Sequence, residues 1–280
     1  MSLSYIGEVY ERFLASPDAE VIAIKGGWGV GKTYHWNNMI SKESVACSSY
    51  LKRYSYVSLF GVDSLESLKY KIFESCIDIE YVKDGVNDKT LNKNMSNLWS
   101  RYGKKGIFHF RNIPATSGYF SMLESFLFTS ATNMIICLDD IERRGKNLSI
   151  LDIMGLVSLL KEQKSCKVVM LLNSSQQYDE DYDKYKEKVV DQELDFLPLP
   201  KESSEIAFNS SLLLDDLLAK ASIKLGITNI RVLQLIKRRA LIIEEIIGEE
   251  SEEVNGRSIN YWCFLYGVIY AMPLMKMSLL

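Results

Sequence analysis

Gly26-Gly27-Trp28-Gly29-Val30-Gly31-Lys32-Thr33 fills a Walker A pattern: glycine, four free positions, then Gly-Lys-Thr. Each residue type in it has a physical task. Glycines let the backbone curl so that successive N–H groups face one concavity, which suits an anion. The Lys32 ammonium would reach the β- and γ-phosphates of a nucleotide, and the Thr33 hydroxyl would ligate Mg²⁺. The preceding run, Glu20-Val-Ile-Ala-Ile-Lys25, reads as a short apolar strand. The following run, Tyr34 to Ile40, can be helical, which would set the phosphate at a helix N-terminus. Gly26 through Tyr34 are therefore the nucleotide-binding candidates.

Such a loop is half a site, and an acid on another strand must complete it. Asn133-Met-Ile-Ile-Cys-Leu-Asp-Asp140 is an apolar run ending in two carboxylates, followed by Ile141-Glu-Arg-Arg144. A run apolar on both faces suits a central parallel strand, and ligands bind at the carboxyl ends of such strands. Asp139 would hold Mg²⁺ through its water shell, beside Thr33. Asp140 would orient or deprotonate the attacking water, with Glu142 as the alternative. Arg143 and Arg144 stand where a guanidinium could offset phosphoryl charge, or simply form a surface ion-pair face.

A third run, Cys166-Lys-Val-Val-Met-Leu-Leu-Asn173, is a buried strand ending in an amide. In nucleotidases whose two Walker strands are separated by an inserted strand, that position senses the γ-phosphate, and Asn173 fits it. An ordinary turn role for Asn173 is the alternative.

The aromatic-containing loop Gly26–Thr33, paired with Leu138-Asp-Asp-Ile-Glu-Arg143, resembles the KAP family of P-loop NTPases, in the STAND and AAA-like branch. Tyr54-Ser-Tyr-Val-Ser-Leu-Phe-Gly61 resembles that family's second strand, and Thr228-Asn-Ile-Arg231 the start of its helical lid. The resemblance covers about residues 1 to 245. It implies ATP and Mg²⁺ as cofactors, and Arg231 as a further nucleotide contact at the lid. Family members usually read Asp-Asp-Leu-Asp-Arg where this chain has Glu142. Bacterial members resemble components of anti-phage defence.

Composition bounds the rest. The chain has 280 residues, 47% hydrophobic and 25% charged, which fits a globular protein with one large core and an appended helical part. A net charge of −3 leaves no bulk electrostatic footprint for nucleic acid or anionic membrane. Cys47, Cys76, Cys137, Cys166 and Cys263 have no paired spacing and read as reduced thiols. His35 and His109 are far apart and offer little to a zinc site. The first residues lack a basic-then-apolar secretory pattern, so a cytoplasmic protein is expected.

The expected elements alternate. A helix covers 3–14, strands cover 20–25 and 53–60, and Asp63 with Glu66 suggests a capping box. Residues 80–116 read as an insertion. A helix at 148–164 links the strand ending at Asp140 to the strand ending at Asn173, and 194–199 reads as a fifth strand. From Glu202 onward the pattern is helical, with Lys237-Arg-Arg239 on a solvated face. Alternating strands and helices give an α/β fold, a P-loop NTPase three-layer α/β/α core over 1–200, with a helical lid and C-terminal segment over 201–280.

Residues 258–275 carry no formal charge, which reaches the lower limit for a membrane span. Asn260, Gly267 and Pro273 dilute the segment, and the acidic run from Glu244 to Glu253 sits awkwardly beside an anionic surface. A buried helix, or a contact with a partner protein or second copy, is the preferred reading over membrane association. The function expected is an ATP-binding, Mg²⁺-dependent ATPase working as a conformational or assembly switch. The alternative is a nucleotide-binding scaffold without turnover. No arginine-rich acceptor segment supports a nucleotide kinase.

Overall fold

The computed structural model describes residues 3–42, 45, 48–84, 128, 131–174, 180–209 and 213–247. Most of the expected insertion, and the uncharged segment at 258–275, lie outside the described residues. Within them the chain runs α1 (Leu3–Ala15), β1 (Val21–Gly26), α2 (Lys32–Ile40), β2 (Arg53–Ser58), α3 (Leu65–Glu74) and β3 (Cys76–Asp78). Then follow β4 (Ile135–Asp139), α4 (Ile150–Glu162), β5 (Lys167–Asn173), α5 (Glu180–Val189) and β6 (Gln192–Asp195). The chain continues through α6 (Pro200–Ala207), α7 (Leu213–Lys224) and α8 (Ile230–Ile247).

Six strands form one sheet in the order β3-β2-β4-β5-β1-β6. β2 pairs parallel to β4, and β4 parallel to β5, while β3 runs antiparallel to β2 at the edge. β5 therefore lies between β1, which leads into the glycine loop, and β4, which ends in the paired carboxylates. The strict alternation of a strand sorts its side chains onto two faces. Val21, Ala23, Val57, Ile136, Leu138, Val168, Met170 and Leu172 share one core with Leu68 and Ile72 of α3, Ile153, Val157 and Leu160 of α4, and Tyr182 of α5. The intervening residues carry the other face. There the Trp36 indole of α2 donates to the Tyr54 hydroxyl at 2.9 Å. Tyr10 of α1 meets Trp36 edge-on with ring centroids 5.1 Å apart. The one charge inside β5, Lys167, lies on this second face and donates to the Phe13 carbonyl at 2.6 Å. That carbonyl sits in the last turn of α1, where a cation is favoured. Helix, sheet, helix is the layering, and with this strand order the core has the P-loop NTPase α/β/α fold.

Local chemistry accounts for most element boundaries. Ser149 caps α4 in a reciprocal box with Asp152, whose backbone N–H and carboxylate are both used. The expected cap at Asp63 is corrected: Ser64 is the N-cap of α3, accepting from the Ser67 amide at 3.1 Å. Asp63 instead accepts from the Asn147 backbone and side chain. The last strand is shorter and earlier than expected, ending at Asp195, because Leu197 and Leu199 point into solvent and Pro200 opens α6. β3 and α5 were not expected.

Contacts divide the chain into two compact units. One holds the described residues of 7–25 and 33–194, and the other gathers those up to Ile6, Gly26–Lys32 and those from Asp195 onward. The second unit has its own core of Ala207, Phe208, Leu214, Leu218, Ile230, Leu233, Ile236 and Ala240. The last four recur every three or four residues along α8, giving one apolar stripe. Lys237 leaves the solvated face expected for it and reaches buried Asp215 at 2.7 Å, while Arg238 and Arg239 stay exposed.

Cys76, Cys137 and Cys166 are buried free thiols, and burial pushes all three toward the protonated form, Cys166 up to about 11. Such thiols behave as small apolar groups. Among the described residues, no helix is long and apolar enough to cross a membrane.

Tyr10 yields a pH-dependent test. Its hydroxyl is buried with no hydrogen-bond partner among the described residues, and burial holds its phenol well above the usual range. The unfolded chain therefore releases this proton first, so the stability it contributes is intact below about pH 10 and falls as pH rises further. Tyr10→Phe is expected to hold or raise stability at neutral pH by about 1 kcal/mol. Above about pH 10 it should flatten the loss by one proton, roughly 1.4 kcal/mol per pH unit. Urea unfolding at neutral and alkaline pH measures both effects.

Candidate functional site

Asp139 ends β4, buried at 7% exposure, so its carboxylate requires donors. Three converge on it. Thr33, in the first turn of α2, donates through Oγ1 to Oδ2 at 2.6 Å. Tyr56 of β2 donates to the same oxygen at 2.8 Å. The Asp140 amide donates to Oδ1, also at 2.8 Å. Parallel register brings this about, because Tyr56 lies opposite Cys137 and shares its side of the sheet with Asp139. Burial first, and then the Asp139 charge, holds the Tyr56 phenol far above its ordinary range, so it remains a donor.

Directly after the strand, Asp140 adopts a left-handed backbone, φ 54° and ψ 36°. That conformation is tolerable for aspartate, unusual for most other residues, and reverses the chain at once. Its Oδ2 accepts from Ser58 at 2.7 Å, and its Oδ1 lies 3.5 Å from Arg143 Nη1. Arg143 also stacks 3.9 Å over the exposed Phe60 ring, and its carbonyl accepts from Gly61. Glu142 is partly buried in the short 3-10 turn Ile141–Arg143. Arg144 turns the other way and fastens the loop by donating to the Leu148 and Ile141 carbonyls. Asn173 is buried at the end of β5, three residues past Met170, the register partner of Leu138.

The glycine loop has its own geometry. Gly29 (φ 75°) and Gly31 (φ 101°) occupy left-handed backbone that other residues avoid. A side chain would also collide with α8: a Cβ on Gly29 would fall 2.7 Å from the Asn229 amide carbon, and one on Gly31 would fall 2.5 Å from Ile230 Cδ1. Lys32 Nζ donates to the Gly26 carbonyl at 2.6 Å and the Gly27 carbonyl at 2.9 Å, which keeps the ammonium over the loop. Trp28 and Tyr34 are exposed, and Val30 is partly so. The Ile230 amide donates to the Gly29 carbonyl at 2.7 Å. Arg231, one residue further along α8, is exposed.

A hydroxyl and a carboxylate oxygen 2.6 Å apart, with a phenol on the same carboxylate, make an all-oxygen donor set. Such hard oxygen donors fit Mg²⁺, which favours few carboxylates completed by waters and phosphates. Among the described residues, no cluster of three or more His, Cys, Asp or Glu side chains offers another metal site.

Sequence reading overlooked Tyr56, Ser58 and Asn229. The first two were legible only as the polar alternates Tyr54, Tyr56 and Ser58 on β2, and their partners depend on register. Asn229 lies in the Thr228–Arg231 stretch, where an asparagine before a helix reads only as a cap and its loop partner is distant in the chain.

No protein-family model matches the sequence, and no curated protein matches it. Among solved structures, the chain is similar to Drosophila ORC bound to DNA, at 13% identity and a TM-score of 0.49, covering 92% of this chain and 58% of that one. It is similar also to the Aeropyrum pernix ORC2 protein in ADPNP–ADP complexes, at 14% identity and a TM-score of 0.49, covering 92% and 66%. This chain thus spans less than two thirds of either neighbour's length.

Two glycine substitutions should separate in sign. Gly29→Ala is expected to destabilise by about 1–2 kcal/mol from its backbone alone, with more from the Asn229 collision. Gly155→Ala, on α4 with nothing within 4 Å of the added carbon, should stabilise by roughly 0.5–1 kcal/mol. Thermal or denaturant unfolding of both variants reads the contrast.

Proposed function

We propose that the chain is an ATP-binding, Mg²⁺-dependent ATPase working as a conformational or assembly switch. The observation that carries this reading is the 2.6 Å bond between Thr33, the last residue of the glycine-loop motif, and Asp139 at the end of a buried parallel strand. A hydroxyl and a carboxylate of these types, on these two elements, serve magnesium in phosphate-loop enzymes.

The roles follow residue by residue. Amides of Gly26–Thr33 would receive the phosphates, and the Lys32 ammonium would exchange its loop carbonyls for β- and γ-oxygens. Thr33 and Asp139 would hold Mg²⁺, which supplies charge neutralisation at the phosphates when bound. Asp140 would orient the attacking water and accept its proton, with Glu142 as the alternative base. Arg143, Asn173 and Arg231 would meet charge on the transferring phosphoryl group. Ordering of these groups by the γ-phosphate, and their release after hydrolysis, is the switch.

The KAP resemblance of the loop and of Leu138–Arg143 supports membership of that family and a place in bacterial anti-phage defence; the lack of a basic-then-apolar pattern in the first residues supports the cytoplasm. It also supports the division near residue 200 between nucleotide core and helical lid. Self-association, or binding of a partner protein, would run through the C-terminal helices. The second reading, a nucleotide-binding scaffold without turnover, draws on Asp140 itself: both of its oxygens are engaged, by Ser58 and Arg143, which lowers its availability as a base.

Substitutions distinguish the two. Lys32→Ala should abolish or strongly weaken ATP binding. Asp139→Asn should raise the Mg²⁺ requirement. Asp140→Asn should spare binding and slow phosphate release by roughly 10²-fold or more. Arg231→Ala should weaken ATP more than ADP. Wild-type phosphate release no faster than that of Lys32→Ala, with tight ATP binding retained, would favour the scaffold. Absence of nucleotide binding by the wild type would remove both readings.

A further inference from the structure

We propose that Asn229 is a positioning residue for the phosphate loop, holding it against the first turn of α8 so that nucleotide affinity depends on its side-chain amide. This rests on the nucleotide-binding reading above.

The Asn229 side chain works at both ends. Its Oδ1 accepts from the Val232 amide at 3.2 Å, the bond of an N-cap, which satisfies one of the free donors of α8. Its Nδ2 donates to the Trp28 carbonyl at 2.9 Å. The next residue repeats the tie, Ile230 N–H to the Gly29 carbonyl at 2.7 Å. Two successive loop carbonyls are thus drawn toward the N-cap and the first residue of α8.

The consequence follows from the planar trans peptide, in which C=O and N–H point opposite ways. Directing the Trp28 and Gly29 carbonyls at α8 turns the Gly29 and Val30 amides away from it. Amides of this loop are the groups that receive phosphate oxygens. Gly29 takes part in the same arrangement, because Asn229 occupies the space a Cβ would need. Asn229 therefore fixes peptide orientation in the loop without itself being a phosphate ligand.

Serine and aspartate are both strong N-caps, so Asn229→Ser and Asn229→Asp retain the Val232 bond while losing the donor to Trp28. Both variants keep the cap, so their unfolding temperatures should fall by only a few degrees, as expected for the single Trp28 bond lost. ATP titration in Mg²⁺ should show affinity lowered about fivefold for the serine variant, as expected for one lost hydrogen bond, and further for the aspartate. With turnover measurable, the loss should appear in KM with kcat unchanged. Backbone amides of residues 28–31 should exchange faster in both variants without nucleotide. Wild-type affinity and exchange in both variants, while Lys32→Ala loses binding, would overturn the role of Asn229 alone. Wild-type affinity in both of these variants, with a loss only in Asn229→Ala, which removes the cap as well, would reduce Asn229 to a helix cap and also overturn it. Failure of the wild type itself to bind ATP would remove the nucleotide reading and this inference with it.

Discussion

A carboxylate at the end of a strand buried on both faces is the constraint from which the surrounding core is organised. Removing an unpaired carboxylate from water costs several kcal/mol, so Asp139 is tolerable only where donors are supplied. They come from three elements: Thr33 from α2, Tyr56 from β2 and the amide of the turn that follows. Each donor fixes something else. The Thr33 bond ties the first turn of α2 to the sheet. Tyr56 must lie on the same face as Asp139, which rules out a one-residue slip of β2, because a slip would send it into the apolar core of the opposite face. The Asp140 amide closes on Asp139 just as the chain enters a left-handed turn at Asp140, whose carboxylate meets Ser58 and Arg143.

The features legible in the sequence were those written in local pattern. Continuous apolar runs ending in Asp139 and Asn173 marked β4 and β5, because a strand covered on both faces has no polar side to break the run. Glycine spacing with Lys32 and Thr33 marked the loop. β3 stayed hidden because three residues, Cys76–Asp78, are too few to show alternation. α5 was masked by its polarity: it buries Tyr182 in the main core while its remaining length is largely charged. The cap of α3 was misplaced by one residue because Asp63 and Ser64 are both good caps, and the choice depended on Asn147, eighty-four residues away in the chain.

Partnerships between distant segments were not legible at all. Nothing near Tyr56 in the chain announces that its hydroxyl serves Asp139, since that depends on which strands are neighbours and in what register. The same holds for the glycine at position 29. The phosphate-loop motif leaves that position free, and local reasoning would allow a side chain there. The backbone dihedral and Asn229 together forbid one. A motif describes the loop's own chemistry, whereas the residues that hold the loop in shape belong to whatever packs on it.

Lys32 shows why that shape bears on function. Its ammonium donates to the carbonyls of Gly26 and Gly27, so its position depends on where those carbonyls point, as well as on its own rotamer. The Gly26 end of the loop is held tightly, since a Cβ there would fall 2.8 Å from the Phe196 carbonyl. The Trp28–Gly29 end is held by α8. Between these two fixed points the loop is held in one shape, so on the proposed nucleotide-binding reading it would receive an anion without first bearing the cost of ordering. An arginine in place of Lys32 would keep the charge but not the geometry, because a planar guanidinium cannot reproduce a compact ammonium directed at two adjacent carbonyls. Charge alone therefore does not specify position 32; the curvature of a loop pinned at both ends does.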